Sequence, residues 1–95
     1  MIKLIGGKAV PVTPSNTNYI TDESGNKAIG TLYVGTSGNL NVLPWYHADT
    51  NDATTTGTAG GAVLYTNVPV GFFPIAVKKV FATGTTASGI NATIE

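Results

Sequence analysis

The only histidine in this 95-residue chain is His47, which stands beside Tyr46 and close to Asp49 and Asp52. A metal centre or an acid–base pair needs more convergent ligands than one imidazole and two loop carboxylates. His47 therefore reads as an exposed loop histidine. The run Asp49-Thr50-Asn51-Asp52 resembles the start of a calcium loop. However, Ala53 and Thr54 follow where a ligand and a glycine are required, and no glutamate closes the loop. Gly35-Thr36-Ser37-Gly38 suggests a nucleophile elbow until Asn39, where that motif needs glycine and then a helix. No pair of carboxylates shares a strand face, as glycoside hydrolysis requires, and no Gly-Lys-Ser/Thr phosphate loop occurs. The residue types imply no catalytic group, no metal and no cofactor, and the expectation is a non-enzyme.

The aromatic residues are more informative. Trp45 and Tyr46 are adjacent, as are Phe72 and Phe73. In a strand, neighbours point to opposite faces, so one member of each pair is expected in the core and the other toward a partner. Trp and Tyr are enriched where protein surfaces dock. The candidate interface is Val12, Pro14, Tyr19, Trp45, Tyr46, Phe72, Phe73, Lys78 and Lys79.

The elements that must carry these residues are short strands. Residues 29–34 (IGTLYV) alternate, with Leu32 and Val34 on one face and Thr31 and Tyr33 on the other. Glycines at 35 and 38 supply turn chemistry, so 35–39 reads as a hairpin turn with 40–45 as the return strand. Residues 62–68, 72–82 and 90–94 read as further strands, and 2–5 as a short one. Lys78-Lys79 breaks the alternation of an apolar strand and predicts a β-bulge or a local edge. Residues 47–61 form a loop with no apolar side chain larger than alanine. Residues 1–28, with Pro11 and Pro14, read as an extended N-terminal arm preceding a domain over 29–95. No window shows capped helical periodicity. Five to seven strands at intervals of about 8–12 residues predict an all-β fold, a small antiparallel β-sandwich or barrel, the jelly roll included.

Composition narrows the function classes. Charged residues make up 11% of the chain, against about 25% in an average soluble protein. The formal net charge is zero and no arginine is present, which disfavours a nucleic-acid partner read through phosphates. Zero cysteines remove disulfide scaffolds and thiol chemistry. No segment approaches the roughly 20 apolar residues that span a bilayer, and no membrane partner is expected. Gly, Thr and Asn, at 12, 15 and 8 residues, fill the place of the charges. From residue 28 to residue 77 the only ionisable groups besides tyrosines are His47, Asp49 and Asp52. Sheet faces so poor in charge predict cover by sister subunits or by a larger assembly.

Four segments carry a resemblance: VTPSN at 12–16, LYVGTSGNL at 32–40, NVPVGFFPIAVKKV at 67–80 and ATGTTA at 82–87. Together they resemble small virion proteins of tailed bacteriophages and gene transfer agents, of the spike-base or head-decoration type. The family commonly has an arginine in the basic pair, where this chain has Lys78 and Lys79, and its loop over 47–61 is shorter. The resemblance implies a structural protein of the virion, at the capsid surface or a vertex, made in the cytoplasm of a bacterial host. It implies a homo-oligomer, trimer or pentamer, in contact with the major capsid protein or other virion proteins. The competing reading is a carbohydrate- or host-surface-binding module, with Trp45 and Tyr46 stacking on a sugar beside the polar loop.

Overall fold

The computed structural model describes residues 8–22, 24–54 and 61–94. Six strands follow one another along these residues: β1 (Lys8–Pro11), β2 (Gly30–Val34), β3 (Gly38–Pro44), β4 (Val63–Val68), β5 (Gly71–Val80) and β6 (Asn91–Ile94). They form one antiparallel sheet in the order β1-β6-β2-β5-β3-β4. The chain is all-β, and no helix occurs among the described residues. The strand expected at 2–5 lies outside them.

The register corrects the expected hairpin at 35–39. β2 and β3 do not pair with each other; both run antiparallel to β5 and flank it. Partners descend steadily, from Gly30↔Val77 through Val34↔Gly71 to Gly38↔Val68 and Val42↔Val63. β2–β3 and β4–β5 are therefore two long strands in one ladder, bent together at 35–37 and 69–70. Val77 is the partner of both Gly30 and Pro44, so the ladder curls until its ends flank one residue. Glycine is required at this corner because backbones pass closely. A Cβ on Gly38 would lie 2.6 Å from the Ala87 nitrogen, and one on Gly35 would lie 2.9 Å from the Gly89 oxygen.

Inside the curl lies the main core, built from Leu32, Val34, Leu40, Val42, Phe73, Val77, Val80, Ile90 and Ile94 among others. The alternation read from 29–34 holds: Leu32 and Val34 are buried, and Tyr33 is exposed. β5 reaches this core through two bulges. Pro74 and Ile75 are unmatched between Leu32↔Phe73 and Thr31↔Ala76, which places proline where no ladder N–H is needed. Lys78 is unmatched between Leu43↔Lys79 and Pro44↔Val77, the bulge predicted from the lysine pair. A one-residue slip exchanges the faces of a strand. Val77 and Val80 consequently share the main core, while Lys79 and Phe81 turn to the opposite face of the strand, where they too are buried. There Phe81 joins Leu43 and Ala62 in a smaller cluster, with Tyr19 and Ala53 packed against it.

The described part of the N-terminal arm is knitted into the same globule. β1 pairs with β6, the Ser15 and Ile20 amides donate to the Val80 and Lys78 carbonyls, and Ile20 is buried in the main core. From Lys8 onward the arm lies along its own chain rather than reaching away from it.

Candidate functional site

The second face of β5 organises a polar corner. Lys79 has no exposed surface, although it carries a formal charge. Its ammonium donates to the Asn16 carbonyl at 2.9 Å, the Thr50 carbonyl at 2.7 Å and the Asn51 side-chain oxygen at 2.7 Å. The Tyr19 ring lies 4.0 Å from the same nitrogen and the Phe81 ring 5.0 Å away, both within cation–π range. Burial pushes the Lys79 pKa below the ordinary lysine range, and the nearby Asp49 charge opposes that shift. One buried cation thus ties the arm, at Asn16, and the loop, at Thr50 and Asn51, to β5.

A second layer surrounds it. Asp49 accepts from Lys78 at 2.7 Å and from Lys27 at 3.1 Å. The hydrogen bond from Lys78, and after it the one from Lys27, holds the Asp49 carboxyl below its ordinary value. The Thr54 amide does the same for Asp52. The Lys78 ammonium also donates to the His47 carbonyl. Lys27 lies 4.4 Å from the Tyr19 ring, which is therefore held between two lysines, and the Tyr19 hydroxyl donates to the Thr50 carbonyl.

His47 was expected on the surface of a loop, but it is 3% exposed. Its Nδ1–H donates to the Gly61 carbonyl at 2.7 Å, and its Nε2 is buried without a partner among the described residues. An imidazole so enclosed cannot take a proton from a substrate in this conformation. Asn41 is the other buried polar side chain here. Its amide donates to the Ala53 and Thr83 carbonyls at 2.8 and 2.9 Å, stapling the loop and the β5–β6 connection to β3. Among the described residues no three His, Asp or Glu side chains converge as metal ligands would.

The sequence-derived interface residues separate into groups. Val12 and Tyr19, both half-buried, meet along a groove of about 230 Å³ shared with Val10, Asn18 and Val80, and Pro14 is half-buried nearby in the chain. Phe72 points outward at 68% exposure. Phe73 points inward against Tyr65, so it is unavailable to a partner. Lys79 is likewise turned into its own chain, and Lys78 is occupied by Asp49 and His47. No family model, curated protein or solved structure matches the chain.

Trp45 and Tyr46 depart from the strand expectation in an informative way. The His47 amide donates to the Pro44 carbonyl at 3.1 Å, which makes Trp45 and Tyr46 the two central residues of a tight turn. Both rings face solvent, at 54% and 65% exposure, instead of dividing between core and surface.

Sequence reasoning omitted Tyr33 from the candidate residues, although alternation with Leu32 and Val34 already placed it outside. Tyr33 and Phe72 are register partners with ring centroids 5.2 Å apart, edge to face. They form an exposed aromatic pair on a sheet exterior where β2, β3, β4, β6 and the first seven residues of β5 carry no Asp, Glu, Lys or Arg.

Proposed function

We propose that the chain is a non-enzymatic structural subunit of a tailed-phage virion. In this reading it decorates or stabilises the capsid as a cement, head-decoration or spike-base protein and assembles as a homo-oligomer. The observation that carries the reading is the exposed Tyr33–Phe72 pair on an uncharged sheet exterior. Exposed aromatics without flanking charge are costly in a free monomer and favourable at the centre of a subunit interface. The segments at 12–16, 32–40, 67–80 and 82–87 add the virion resemblance. A trimer would suit threefold lattice points and a pentamer a capsid vertex.

Co-expression with the major capsid protein of the same phage tests this. The chain is expected to co-sediment with assembled capsids and to appear as regular density on their surface or vertices. The paired substitutions Tyr33→Ser and Phe72→Ser are expected to release it. A wild-type chain that stays in the supernatant beside intact capsids would contradict the reading.

A further inference from the structure

The central positions of a tight turn favour Pro, Gly, Asn, Asp and Ser, which suit the backbone geometry. Here they hold Trp45 and Tyr46, whose bulk does nothing for the turn and whose rings are mostly exposed. The turn is held firmly. The Trp45 amide donates to the Ala76 carbonyl at 3.0 Å, and the Pro44–His47 bond closes the turn. Buried His47 meets the Tyr46 ring edge to face at 4.5 Å, and Lys78 holds the His47 carbonyl. The two rings pack edge to face, 5.8 Å apart at 75°, so each braces the other while both stay open to solvent.

We infer that the Trp45–Tyr46 turn is a binding site for neutral carbohydrate, with a pyranose ring seated against the indole. A sugar offers an apolar C–H face to an aromatic wall and hydroxyls to the polar ends of indole and phenol. The chemistry of the surroundings favours this occupant over a charged one. Asp49, the nearest acidic residue in sequence, is already engaged by Lys78 and Lys27. The residues that follow, Ala48, Thr50 and Asn51, are small or polar and do not extend an apolar surface of the kind a protein anchor fills. Holding the rings in place before binding limits the ordering cost that weakens most small-ligand sites. The inference is independent of the virion reading.

Trp45 is the only tryptophan, so its emission reports on the site directly. The full chain is titrated with neutral hexose and N-acetylhexosamine oligosaccharides, and retention is measured on the same sugars immobilised. A saturable change in emission is expected with at least one class, weakened at least tenfold by Tyr46→Ala. Trp45→Ala is expected to abolish retention, and Phe72→Ser to leave it intact. The inference is overturned if no sugar in the panel shifts the emission, if Trp45→Ala retains binding, or if Trp45→Ala instead dissociates an oligomer while the wild type ignores every sugar.

Discussion

The polar corner around Lys79 and the sheet exterior around Tyr33 and Phe72 solve opposite problems. The corner gathers Lys27, Lys78, Lys79 and Asp49 and closes them on one another and on loop carbonyls. Its charge is used inside the chain to fasten an arm and a loop that have little apolar surface of their own. The sheet exterior has no charge and leaves two aromatic rings in water. A small chain normally reserves its few charges for solvation. Here several of them hold the fold together, and the sheet exterior is left without them.

The largest expected effect is at the corner. Lys79→Met takes the donor from the Asn16 carbonyl and the Asn51 side chain and leaves the Thr50 carbonyl to Tyr19 alone, and should cost about 3 kcal/mol, since each buried acceptor left unpaired costs about 1–3 kcal/mol. Urea unfolding measures it. Phe72→Ser in the same assay, extrapolated to low protein concentration where the chain is monomeric, should stay within about 0.5 kcal/mol of wild type, as exposed substitutions do. Equal effects of the two would erase the distinction. Asn41→Ala should fall between them, at about 1–3 kcal/mol, because the Ala53 and Thr83 carbonyls lose the buried amide that ties them to β3.

Acidity sharpens the comparison further. The Asp49 pKa is depressed in the folded chain, so its stabilising effect is complete above the ordinary value of 3.8 and is lost as pH falls through the lowered one. The unfolding midpoint should therefore drop in that window, and Asp49→Asn should flatten the drop. Lys79 acts with the same slope in an alkaline window. Its pKa is also lowered, so between that lowered value and 10.5 the unfolded chain binds the proton more tightly. Its contribution to stability rises with pH there, a rise that Lys79→Met should remove.

Much of this architecture was legible in the residues. Alternation placed Leu32 and Val34 inside, the absence of helical periodicity matched an all-β sheet, and the adjacent lysines marked a bulge. What failed was whatever depends on distant partners. Gly35 and Gly38 carry turn chemistry, but only the ladder from Val77 to Val63 decides that the chain bends there without pairing back on itself. His47 sits in a polar stretch, yet Gly61 and Lys78, 14 and 31 residues away, enclose it. Lys79 is buried by the Thr50 and Asn16 carbonyls, 29 and 63 residues away. Trp45 and Tyr46 read as strand residues, but one backbone hydrogen bond at Pro44 turns both outward.

The central claim, that the uncharged aromatic exterior is an assembly surface, is tested most directly by native mass from light scattering. The wild-type chain should show a discrete multiple of its 9.7 kDa. The Tyr33→Ser, Phe72→Ser chain should run as a monomer with an unchanged urea midpoint extrapolated to low protein concentration. A wild-type chain that stays monomeric at high concentration, or a substituted chain that keeps the full oligomer, would contradict the account.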